Sequence, residues 1–108
     1  MGRSRVSLPF DKQCDLAGLP RPQAEYRFHP TRKWRFDWAI LGPPLLAIEV
    51  EGGAWTGGRH TRGAGFEKDL EKYAEALVLG WRILRVTPKQ IEDGTALTLV
   101  GRILRQAA

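Results

Sequence analysis

Cysteine and histidine are nearly missing from this chain: Cys14, His29 and His60 are all that 108 residues contain. A lone cysteine excludes an intrachain disulfide framework, and one Cys with two His is too few for a structural zinc site. Long apolar runs are missing too. None approaches the roughly 20 residues that span a bilayer, and the opening MGRSRVSLPF has no apolar signal-peptide core. Neither a membrane span nor a leader is expected, and a reducing cytoplasm suits the free thiol. Acids are outnumbered, with 12 Asp and Glu against 17 Lys and Arg, a formal charge of +5. Twelve of the cations are Arg, which pairs bidentately with phosphate, so the composition points to a polyanionic partner, with a basic protein that has none as an equal alternative.

What is present suffices for one compact domain, residues 1–108, with 43% hydrophobic content. The stretch LPFDKQCDLAGLPRPQ predicts a short helix over roughly Phe10 to Ala17, stopped by Gly18 and the prolines. Residues 25–29 and 33–41 alternate polar with apolar side chains around Pro30 and Thr31, which predicts a hairpin. A third strand is expected over 45–52. After a Gly-rich segment, Phe66, Leu70, Tyr73, Ala74 and Leu77 recur with helical spacing up to Gly80, so they are expected to form the buried stripe of an amphipathic helix. WRILRVT reads as a fourth strand and Thr95 to Gln106 as a last helix. The order is helix, three antiparallel strands, helix, strand, helix: an α/β chain of α+β type with a mixed sheet.

Three acids interrupt this apolar pattern: Asp37, Glu49 and Glu51. Alternation puts Glu49 and Glu51 on one face of the third strand and Asp37 opposite the set Phe36, Trp38 and Ile40. A turn folded about Pro43 sets Asp37 across from Glu49, with Cβ atoms about 5 Å apart. Two carboxylates at that distance repel by roughly 3 kcal/mol at an effective dielectric near 20. Removing one is therefore expected to raise metal-free stability. A solvent-exposed face on which acids only aid solubility is the alternative. A divalent cation offsets the repulsion, and Mg2+ takes one or two carboxylates, waters and phosphate oxygens. A basic chain with such a site suggests phosphodiester hydrolysis.

At residues 25–88 the sequence resembles the PD-(D/E)XK nuclease superfamily: an acid on the second strand, E-x-E on the third, and this order of elements. IEVEGGAW, the Gly/His/Arg loop, a helix with Asp69 and Lys72, and LGWRILRVTP are similar to the very-short-patch-repair endonuclease group and related small phage nucleases. That resemblance implies a restriction-endonuclease-like αβββαβ core with a C-terminal helix. It also implies a Mg2+-dependent endonuclease acting on DNA in repair or recombination, as a junction resolvase does, in a bacterial or phage-infected cytoplasm. Mn2+ is expected to support activity as well.

By the same resemblance, Asp37 and Glu49 would bind the metal with the Val50 carbonyl as a third ligand. Glu51 would orient or deprotonate water, or hold a second metal, and Glu25 on the hairpin partner strand is an accessory candidate. The superfamily usually has Lys where this chain has Glu51. Helix geometry favours Lys72, on the flank of the stripe, over Lys68, which points away; a solvated Lys or a helix ion pair is the alternative. In the loop, Arg59 and Arg62 would contact phosphate and His60 would protonate the leaving group or bind the backbone, with a flexible connector and an ordinary loop His as the alternative. Arg27, Arg32, Lys33 and Arg35 on the hairpin suit flanking duplex. Trp34, Trp38 and Trp81 read as packing residues, with Trp55 a candidate for base stacking. Cutting both strands needs two active sites, so a homodimer is expected. A DNA-binding module of the same fold that cannot cleave, and a small basic subunit whose acids meet a cationic partner, are the other readings.

Overall fold

The computed structural model describes residues 8–52 and 64–107. The chain runs α1 (Phe10–Leu16), β1 (Gln23–Arg27), β2 (Arg35–Leu41), β3 (Leu45–Val50), α2 (Ala64–Val78), β4 (Arg82–Val86), α3 (Pro88–Glu92) and α4 (Thr95–Ala107). The strands form one mixed sheet in the order β1-β2-β3-β4. β1–β2 and β2–β3 are antiparallel and β3–β4 is parallel, α2 providing the crossover that a parallel pair requires. This is the expected mixed α/β fold with a C-terminal helix. No described helix is long and apolar enough to cross a membrane.

The sheet is buried on both faces. On β3, Leu46 and Ile48 join Phe10, Cys14, Ile40, Val86, Ala96 and Val100 in a cluster roofed by α1 and α4. Ala47, of opposite parity, joins Phe36, Ala39, Ala76 and Trp81 on the face that α2 covers. Phe36 is sandwiched there, stacked on Phe28 at 4.1 Å and edge-on to Trp81 at 5.0 Å between centroids. The β2–β3 turn is tight enough to require glycine, because a Cβ on Gly42 would stand 2.5 Å from the Pro44 carbonyl oxygen. Helix α2 ends where Gly80, at φ +94°, lets Trp81 N–H reach back to the Ala76 carbonyl.

The structure corrects the sequence reading in three places. Phe36 is not on the face of Trp38 and Ile40: it shares a cluster with Ala39, three residues on, so strict alternation breaks at Asp37. An additional helix, α3, follows β4. Thr87 and Gln90 form a reciprocal capping box around it and Pro88 opens it. Finally, of the apolar stripe of α2 only Tyr73 turns to the sheet. Phe66, Leu70 and Leu77 are 47%, 56% and 65% exposed, and the side turned to the sheet carries Lys72, Tyr73 and Ala76.

Candidate active site at the splayed end of two strands

The β2–β3 ladder runs from Leu41↔Leu45 to Trp38↔Ile48 and stops one pair short of Asp37 and Glu49. β3 stays paired with β4 through Val50↔Val86, so β2 and β3 diverge while β3 continues. Two backbone N–H groups in the gap lose their ladder partners, and the two acids replace them. Asp37 N–H donates to Glu49 Oε2 at 2.8 Å, and Val50 N–H donates to Asp37 Oδ2 at 2.7 Å. An alanine at either position would leave a half-buried donor without an acceptor.

Strain collects at the same point. Across β1–β2, Ala24 faces Trp38 and Tyr26 faces Phe36, which sets Glu25 opposite Asp37; Glu25 has φ +51° without being glycine. Such a conformation costs about 1–2 kcal/mol and tends to occur where function fixes the backbone.

Helix α2 closes the gap from above. Lys72 Nζ and the Tyr73 hydroxyl both donate to Glu49 Oε1, at 2.9 and 2.8 Å, and Glu49 is 6% exposed. Burial, reinforced by the hydrogen bond and charge of Glu49, pushes the Tyr73 phenol far above its usual range, so it remains a donor. Beyond β3, Glu51 Oε2 accepts from Arg85 Nε at 2.9 Å, and the Arg85 guanidinium lies 4.7 Å over the Tyr73 ring. The hydrogen bond to Glu51 raises the Arg85 pKa. Three acids, Asp37, Glu49 and Glu51, thus meet two cations, Lys72 and Arg85, which already offset most of the acid repulsion. Deleting Glu49 would strand a largely buried ammonium, so the expectation of a metal-free stability gain is reversed.

Open acceptor capacity fits a hydrated hard cation. Among the described residues Asp37 Oδ1 accepts no hydrogen bond, and Glu49 Oε2 uses one of its two lone-pair directions. A hydrated Mg2+ is satisfied by two such carboxylates. No described group of three or more His, Cys, Asp or Glu is arranged to hold a metal. The Val50 carbonyl, expected as a ligand, accepts from Gly52 N–H at 3.2 Å. Glu25 is exposed and makes no hydrogen bond to the acids among the described residues.

The other expected residues fall elsewhere. Arg59, His60, Arg62 and Trp55 lie outside the described residues. Arg32 pairs with Glu71 and covers the Trp34 ring at 4.0 Å, while Arg27 Nε donates to the Arg32 carbonyl. Lys33 and Arg35 are exposed and take no partner among the described residues. Arg35 stands directly across from Arg27, a like-charge pair that destabilises a sheet unless an anion bridges it. His29 is structural: its Nδ1 accepts the Thr31 and Arg32 N–H groups, which leaves the proton on Nε2, 3.2 Å from Glu75 Oε1. Tyr73 and Arg85 were not singled out by sequence. Arg85 sits two residues after Ile83, so parity puts it on the face of Ile83, and the register Ala47↔Ile83 sets it beside Glu49. No protein-family model, curated protein or solved structure matches the chain.

Proposed function

We propose that this chain is a Mg2+-dependent endonuclease that hydrolyses DNA phosphodiester bonds, of the repair or recombination type that acts on branched DNA. The observation that carries the proposal is the meeting of the Asp37 and Glu49 carboxylates in the β2–β3 gap with the Lys72 ammonium 2.9 Å from one of them. Asp37 and Glu49 would hold the ion. When bound, Mg2+ supplies Lewis acidity toward a phosphate oxygen and acidifies a water. Lys72 would contribute its ammonium to the negative charge that develops on the phosphate. Tyr73, fixed in its protonated form, keeps Glu49 in place and cannot serve as the base. Glu51 is the remaining carboxylate able to accept a proton from water, with Arg85 holding its other oxygen.

A homodimer belongs to this reading, because two cuts need two sites. Its natural contact is the exposed stripe of α2. Phe66, Leu70 and Leu77 are exposed along it, so an antiparallel two-fold would set the stripe of one copy against that of the other.

A second reading has one observation in its favour. Lys72 and Tyr73 together occupy Glu49 Oε1, and Arg85 holds Glu51, so two of the three acids are paired from within. A DNA-binding module that keeps the fold without cleaving would look the same. Duplex, nicked, flap and four-way DNA incubated with Mg2+, Mn2+ or EDTA distinguish the two. Cleavage of a branched substrate with metal and none in EDTA is expected. Binding without cleavage under every metal condition would favour the module.

A further inference from the structure

On the sheet face opposite the carboxylates, Arg82 of β4 shares a cavity with Arg102 of α4, and Arg102 shares a second with Arg105. Arg82 is in register with Leu46, on the face of the α4 cluster, whereas Arg85 is in register with Glu49. Arg82, Arg102 and Gln106 line a cavity of about 380 Å3 with Leu99 and Ile103, and Arg102, Gln106 and Arg105 line a second, of about 260 Å3, that adjoins it. Eight arginines lie among the described residues. Arg21, Arg32 and Arg85 have acid partners there, and Arg27 donates to a carbonyl. Of the four without a hydrogen bond or ion pair among the described residues, three are Arg82, Arg102 and Arg105.

Three guanidiniums brought together without an acid repel one another, and folding does not select that arrangement. The negative end of the α4 dipole accounts for Arg105, which is in the last turn. It does not account for Arg82, which comes from a strand. Planar guanidiniums with free N–H forks match phosphate oxygens bidentately, and the shared walls of the two cavities suit successive phosphates of one chain. We propose that the Arg82–Arg102–Arg105 cleft binds the phosphodiester backbone of a nucleic acid, as a second contact surface on the face away from the cutting site. A straight duplex cannot lie on both faces of one sheet. The cleft therefore holds a second segment, such as another arm of a branched molecule. The choice of nucleic acid as the polyanion rests on the functional reading above.

Anisotropy of labelled four-way junction and of linear duplex with the full chain in EDTA tests this. The variants are Arg82→Gln/Arg102→Gln/Arg105→Gln and, as control, Lys33→Gln/Arg35→Gln on the hairpin. All three cleft arginines are exposed, so melting temperatures should match the wild type. The triple variant should bind the junction at least about tenfold more weakly and lower the slope of log Kd against log salt by about two to three, while linear duplex changes less. Wild-type junction affinity and slope in the triple variant would overturn the cleft. Failure of the nuclease reading is seen separately, as absence of Mg2+-dependent cleavage by the wild type. Equal losses on junction and linear duplex would overturn the role as a second-segment site.

Discussion

At Glu49 two side chains and one backbone group meet in a nearly dry site, and each donates to that carboxylate. Glu49→Ala should therefore lower metal-free stability by about 3 kcal/mol, because it strands Lys72 and the Asp37 N–H. Denaturant midpoints in EDTA check this; an unchanged midpoint would mean that the Lys72 bond has no energetic weight. Lys72→Met should reduce single-turnover cleavage about a hundredfold with little effect on DNA affinity, whereas Lys68→Ala, on an exposed residue, should do neither. Alkaline pH probes two other buried groups. Burial, with Asp15 and Asp11 adding to it, raises the Cys14 thiol from 9.0 to about 11, and Tyr73 shifts in the same direction. Between pH 9 and 11 the unfolded thiol loses its proton while the folded one keeps it, so the unfolded state binds fewer protons and stability falls as pH rises. Cys14→Ala should flatten the slope of stability against pH from 9 to 10, and Tyr73→Phe the slope above 10. A Cys14→Ala slope equal to the wild type would contradict the burial effect. The acids of the site were legible in the sequence because charge in an apolar strand is conspicuous. Tyr73 was not, because an aromatic at helical spacing looks like core until its hydroxyl has a partner.

The elements were legible to the extent that their signals are local. Turn residues and alternation gave the strands, and Gly80 gave the end of α2. Periodicity shows that a helix has an apolar side but not which neighbour that side meets. α2 turns Lys72, Tyr73 and Ala76 to the sheet, and their mean direction is about a quarter-turn from the exposed Phe66, Leu70 and Leu77. The α3 helix had a local signal in Thr-Pro-Lys-Gln, an N-cap, a first-turn proline and an N3 glutamine, which the reading of 81–87 as strand overlooked. Thr87→Ala should cost about 1 kcal/mol through the lost cap. The Glu25 backbone was illegible, since nothing in EYRFH signals a positive φ. Glu25→Gly should raise stability by about 1 kcal/mol by relieving the left-handed conformation; a loss would show that the side chain, not the backbone, is what the site uses.

For the whole molecule, a divided sheet explains why a basic chain keeps acids at its centre: one face has the carboxylates under α2, the other the arginines of β4 and α4 that have no acid partner among the described residues. Assembly is tested on the exposed stripe. Leu70→Glu should leave the melting temperature within about 1 °C and convert a dimer to a monomer by light scattering, since Leu70 is more than half exposed in one copy. A wild-type monomer at micromolar concentration would remove the dimer. The central claim, that Asp37 and Glu49 form a metal-dependent cutting centre, is tested most directly by single-turnover cleavage of a four-way junction with Mg2+. The wild type is compared with Asp37→Asn and Glu49→Gln, variants that keep the side-chain shape but lose the charge. Cleavage by the wild type alone, with junction binding in EDTA equal to or tighter than wild type in both variants, is the predicted result. Cleavage at the wild-type rate by either folded variant would contradict it.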